Sequence, residues 1–214
     1  MEQRTVERFR KRVILIHWLQ AASFAVLLIT GSIMFFDLTS VSGGQPIRII
    51  HKISAVSFAI MPLVYTLFDP RAVLNFLKEA FSWDGDARSW LRGAASFYFG
   101  RRTQMPPQGY INGDQKLWQL VVTVCGTIFI ITGILMWFFQ FKMPRELYQW
   151  ISLTHGLAFI VISFMFLVHF YLTVLHQGFE ESLGAMIDGK VSSSYARKNY
   201  SKWYAEQPDE EVSE

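Results

Sequence analysis

Four apolar runs, at about 13–36, 47–68, 117–140 and 150–176, constrain this chain more than any other feature. Each has about 20 residues or more, the length an α-helix needs to cross a hydrocarbon core about 30 Å thick. No water is available there to satisfy a stray backbone N–H or C=O, so such segments fold as helices. The composition agrees, because 51% hydrophobic and 17% charged residues in 214 is too apolar for an ordinary soluble domain. The sequence therefore predicts an all-α membrane protein. It would be a four-transmembrane-helix bundle forming a single membrane domain over 1–214, with a connection at 69–116 and a tail at 177–214.

Basic residues precede the first run, as they would a signal peptide. The run is too long for one, however, and lacks a small-x-small cleavage site, so it reads as a retained helix. The single cysteine, Cys125, excludes an internal disulfide and a CxxCH haem attachment, and it reads as a small packing residue.

Cations set the orientation. Arg4, Arg8, Arg10, Lys11 and Arg12 precede the first span, whereas the first connection offers only Arg48 and Lys52. Arg71, Lys78, Arg88, Arg92, Arg101, Arg102 and Lys116 fill the 69–116 connection, and Lys190, Arg197, Lys198 and Lys202 the tail. The positive-inside rule puts both termini and the long connection in the cytoplasm, and the 141–149 turn outside. The net charge of +3 lies beside the spans, so it reads as topology and contact with anionic lipid headgroups, with no nucleic-acid partner. "NFLKEAFSW" and the tail from "SLGAMIDGK" read as interfacial amphipathic pieces, and "QPDEEVSE" as a polar disordered end.

Histidine inside a span is costly without a partner and is a functional candidate by default. The plain alternative for any one of them is a hydrogen bond to a neighbouring helix. His155 and His169 are 14 residues apart, which returns to within about 40° of one helix face and separates them by about 21 Å. Depth then pairs His17 with His169 toward the cytoplasm, and His51 with His155 toward the outside. Two imidazoles facing across a bundle suit the axial positions of haem iron, whose macrocycle supplies the other four nitrogens. Zinc or copper would need more ligands at each level than the sequence offers. Small residues near these depths, Ala21, Ala22, Gly31, Ser54, Ala55, Gly126, Gly133, Gly156 and Ala158, would let a flat cofactor lie between helices, and would serve ordinary close packing equally. The reading is two haems b. His176 lies about 10 Å beyond His169, past the boundary, and reads as an interfacial or proton-delivering group, not as a ligand.

With histidines in all four positions, the chain resembles the cytochrome b (gamma) subunit of respiratory membrane-bound formate dehydrogenases, a dihaem b anchor. The resemblance is carried by "RFRKRVILIHWLQAASFAVLLITGSIMFF", "RIIHKISAVSFAI", "NGDQKLWQLVVTVCGTIFIITGILMW", "THGLAFIVISFMFLVHFYLTVLHQG" and "SLGAMIDGKVSSSYARKNYSKWY". It implies the same axial ligands, His17, His51, His155 and His169. It also implies a quinone, menaquinone or ubiquinone, beside the cytoplasmic haem near "NGDQ", with Asn112, Gln115 and His169 against the quinone and Asp114 or His176 assisting proton entry. Asp114 replaces a glycine of the family pattern. The other reading of "NGDQ" is a helix N-cap.

The implied role is electron transfer in the bacterial inner membrane, in a complex that can associate further. Electrons would pass from a periplasmic iron–sulfur subunit to quinone, while formate oxidation resides on a molybdenum or tungsten subunit. The alternatives are the equivalent subunit of a hydrogenase or sulfur-compound reductase, and a non-redox carrier; the apolar midplane of each span argues against the carrier. The charge pattern gives a direct expectation. Reporters fused after Glu2, near Arg92 or after Glu214 will report a cytoplasmic location, and those near Gly43 or Arg145 an external one. An external 69–116 connection would reverse the orientation.

Overall fold

The computed structural model describes residues 4–38, 44–101 and 104–207; Gly43, Arg102 and the Pro208–Glu214 part of the acidic end lie outside the described residues. The order is β1 (Thr5–Glu7), α1 (Lys11–Phe35), α2 (Gly44–Phe68), α3 (Pro70–Phe81), α4 (Gly85–Tyr98), α5 (Gly113–Phe138), α6 (Arg145–Phe170), α7 (Glu180–Asp188), β2 (Lys190–Ser192), α8 (Ser193–Asn199) and α9 (Ser201–Ala205). Helices α1, α2, α5 and α6 are long and apolar enough to cross a membrane. A π-helical turn, Tyr171–Leu175, prolongs α6. Each span starts two to five residues before the apolar run that announces it. The hydrogen-bonded helix continues into polar interfacial sequence, which hydropathy does not register.

The chain forms two compact units. One comprises the described residues of Leu15–Leu74 and Val121–Leu167. Within it, polar and aromatic side chains link the spans. Ser23 and Ser57 share a hydrogen bond of 3.0 Å between α1 and α2. Phe24 meets Phe166 at 5.2 Å and Phe35 meets Phe159 at 5.1 Å between α1 and α6. Lys52 lies over the Trp137 ring at 5.1 Å, joining α2 to α5. Leu15, Ile29, Ile53, Leu63, Ile131 and Phe164 point outward and are exposed, as side chains against lipid tails would be.

The other unit comprises the described residues up to Ile14, Asn75–Leu120 and those from Val168 onward. The sequence announces α3 and the helical tail, but neither α4 nor the sheet. β1 pairs antiparallel with β2, Val6 opposite Val191, across a sequence separation no local pattern reveals. Val6, Ala185, Val191, Tyr195, Ala196, Tyr200 and Trp203 form the core beneath it. The Arg8 guanidinium is buried with them, 3.4 Å from the Tyr200 ring centre, and donates from Nη2 to the Tyr110 carbonyl at 2.8 Å. Asp84 caps α4 by accepting from the Ala87 N–H at 2.7 Å. That bond and the nearby Lys202 ammonium hold its carboxyl below the ordinary range. Lys116 pairs with Glu79.

Gly189 ends α7 with φ +88, and its carbonyl accepts from the N–H groups of Arg8 and Phe9 at 2.7 and 3.0 Å. A Cβ there would stand 2.5 Å from the Phe9 carbonyl oxygen. Gly189→Ala is therefore expected to destabilise by more than about 1 kcal/mol, through the left-handed backbone and the clash together. Gly184→Ala, whose Cβ would meet nothing within 4 Å, should be neutral or stabilising. Thermal unfolding in detergent compares the two.

Candidate functional site

His51 on α2 and His155 on α6 are held in the same way. Thr30 of α1 lies 2.8 Å from His51 Nδ1, and Thr132 of α5 lies 2.7 Å from His155 Nδ1. Both threonines are nearly enclosed, at 4% and 6% exposure, unlike most residues of the spans. Each hydroxyl also donates to a carbonyl four residues back, Thr30 to Val26 at 2.7 Å and Thr132 to Ile128 at 2.6 Å. A Cβ at Gly31 would lie 3.7 Å from His51 Cε1 and 3.4 Å from Phe159, one turn beyond His155. His51 and the Phe159 ring, one turn from His155, thus both lie beside Gly31. Gly156 faces Phe35 and Gly126 faces Phe58, so these small residues receive rings.

His17, in the same unit, packs edge-on against Trp18 at 5.3 Å, and its buried Nδ1 has no hydrogen-bond partner among the described residues. His169, in the other unit, stacks on the Trp118 indole at 4.5 Å with 5° between the planes. His176 directs Nε2 to the Tyr98 carbonyl at 3.1 Å and Nδ1 to the Gln177 carbonyl at 2.8 Å, so neither nitrogen is turned to a metal.

The start of α5 closes a capping box: the Asn112 N–H donates to Gln115 Oε1 and the Gln115 N–H donates to Asn112 Oδ1, both at 3.1 Å. Backbone N–H groups can only donate, so both amide oxygens are spent on the cap. The Gln115 amide nitrogen donates to the Tyr200 hydroxyl at 3.2 Å. Asp114 accepts from the Tyr98 hydroxyl at 2.5 Å. Burial and the adjacent carboxyl push the Tyr98 phenol well above its usual range, so it remains a donor. Gly113 permits this approach, because a Cβ there would stand 2.6 Å from the Ala87 carbonyl oxygen of α4.

Sequence reasoning identifies the histidines and the "NGDQ" segment but misses Thr30, Thr132, Trp118, Tyr98 and Tyr200. A signal for two of them exists. "ITG" occurs at 29–31 and again at 131–133, each time on the span before a histidine-bearing one.

Residues 8–189 match the family described as prokaryotic cytochrome b561. The chain belongs to that family. Its relatives include the cytochrome b556(Fdn) subunit of nitrate-inducible formate dehydrogenase from Escherichia coli strain K12, 26% identical over 89% of this chain and 86% of that one. The formate dehydrogenase cytochrome b556 subunit of Haemophilus influenzae is 24% identical over 89% of this chain and 79% of its own length. The cytochrome b556(fdo) subunit of Escherichia coli formate dehydrogenase is 21% identical over 94% and 93%. As a b-type cytochrome with four apolar helices, the protein is a multi-pass membrane electron-transfer haem protein.

The residues fit a haem. At His51 and His155 the hydrogen bond at Nδ1 leaves Nε2 without a partner among the described residues, and an axial histidine needs that arrangement. The buried Nδ1 of His17 marks a third imidazole with no hydrogen-bond partner at that nitrogen among the described residues.

Proposed function

We propose that the chain is the cytochrome b subunit of a formate dehydrogenase in a bacterial inner membrane. It would bind two haems b and carry electrons from an outer iron–sulfur subunit to quinone. His51 and His155 would hold the outer haem. His17 and His169, matched in depth by their positions in the sequence, would hold the inner one. The observation that carries the reading is the repeated threonine–histidine bond, which leaves two imidazoles of one unit with their ligating nitrogens available. The family match and the names of the relatives support the rest. Formate oxidation belongs to a molybdenum or tungsten subunit, and 1–214 acts as one membrane domain with both termini cytoplasmic.

The haems supply one-electron iron chemistry when bound. The chain's own residues do the remainder. The four histidines would hold the haems at two depths, and the apolar midplane excludes water between them. At the start of α5 the cap occupies the oxygens of Asn112 and Gln115, so the groups toward a quinone carbonyl would be the Asn112 amide nitrogen, the second N–H of the Gln115 amide beside the one given to Tyr200, and the His169 ring. Asp114, bonded to Tyr98, and His176 lie on the proton route from the cytoplasm. Moving one charge against 100 mV costs about 2.3 kcal/mol, which the redox drop from donor to quinone must supply.

The purified protein should show a reduced α-band and about two haems per chain. His51→Ala or His155→Ala should remove one haem, His17→Ala or His169→Ala the other, and His176→Ala neither. A colourless folded protein would refute the reading. For the quinone, Asn112→Asp with Gln115→Glu keeps both capping oxygens while removing both amide N–H groups. This variant should retain its haems and their reduction by the partner enzyme, yet re-oxidise more slowly with a quinone analogue. Unchanged re-oxidation would leave the segment a cap alone.

A further inference from the structure

The hydrogen bonds of Thr30 and Thr132 settle a proton assignment. At each threonine two short contacts converge on one hydroxyl: a carbonyl oxygen at 2.7 or 2.6 Å, and an imidazole Nδ1 at 2.8 or 2.7 Å. Each line of approach needs a proton. A carbonyl oxygen has none, so the hydroxyl proton lies on the O···O line, where two sets of lone pairs would otherwise repel. The remaining line then takes its proton from the ring. Nδ1 is the donor in both histidines, and the lone pair of each ring resides on Nε2.

We propose that Thr30 and Thr132 are positioning residues that fix the tautomer of His51 and His155 and lower the reduction potential of the haem between them. This rests on the ligand reading above. An acceptor on Nδ1–H draws that proton partly away and raises the donor strength of the ring, which favours ferric over ferrous iron. The threonine oxygen is a stronger acceptor than an isolated hydroxyl, because its own proton is already given to a carbonyl and such chains polarise one another. The device serves both axial ligands of one haem. His17 has no such partner at Nδ1 among the described residues. The unequal treatment places the His51–His155 haem at the low-potential end, so electrons entering there run downhill to the haem of His17.

The test is potentiometry on the holoprotein with Thr30→Val, Thr132→Val, the double variant, and Thr30→Ser with Thr132→Ser as the conservative pair. Each valine variant should raise the ferrous-to-ferric ratio of one haem several-fold at fixed poise. The double variant should approach tenfold, which for one electron is about 59 mV. The other haem should not move, and the serine variants should return to the wild-type value. Valine variants that keep both haems at unchanged potentials would overturn the inference. So would serine variants that behave like valine, since the effect would then be packing. If the valine variants do not accumulate, electron–nuclear double resonance on the wild-type holoprotein decides. A remote-nitrogen proton drawn toward an acceptor in both ligands of that haem supports the proposal, and one with the coupling of an unbonded imidazole N–H overturns it. His51→Ala is the separate control: if it retains both haems, the ligand reading fails, and not merely the role of the threonines.

Discussion

A hydrocarbon slab has no water to lend. A polar group carried into it without a partner is costly, and that cost organises what this chain does there. The backbone meets it by forming helices. The threonines within the spans meet it by donating to the carbonyl one turn back, as Thr30, Thr127, Thr132 and Thr154 all do. At Thr30 and Thr132 this local habit acquires a consequence, because a hydroxyl that has given its proton away can only accept. The histidines facing those two hydroxyls are thereby committed to one tautomer.

The other unit follows a different logic. Its core is small and aromatic, and it holds an arginine where a hydrophobic side chain would be expected. The Arg8 guanidinium lies on the Tyr200 ring and bonds to the Tyr110 carbonyl, while the Tyr110 hydroxyl donates back to the Arg8 carbonyl. Cation–π contact is worth most where water is excluded, which makes this cluster an anchor for the residues leading into α1. The Gly189 carbonyl holds the N–H groups of Arg8 and Phe9, and a Cβ there would collide with the Phe9 carbonyl oxygen.

The start of α5 shows that a structural and a functional reading of one motif need not compete. A carboxamide has two ends. In Asn112 and Gln115 the oxygens serve the helix, and the nitrogens are directed elsewhere. Asp114, between them, faces Tyr98 on α4, a helix whose place beside α5 depends on Gly113. The segment therefore brings a carboxyl, a phenol and two amides together at one helix terminus, a concentration of proton-exchanging and hydrogen-bonding groups that a cap alone does not require.

The sequence by itself determined the four spans, because hydropathy over twenty residues reports directly on transfer into lipid. It also determined the candidate ligands, because a histidine in such a run stands out whatever surrounds it. His51 and His155 could be matched in depth from helix rise alone, since rise per residue is nearly constant. Tertiary structure decided what periodicity cannot express: the pairing of Thr5–Glu7 with Lys190–Ser192, the existence of α4, the stacking of Trp118 on His169, and the partner of each imidazole. Threonine shows why. In sequence it is one more small polar residue with a carbonyl to bond one turn back. Only the neighbouring helix, brought alongside by folding, decides whether its remaining lone pair meets a lipid tail or a histidine.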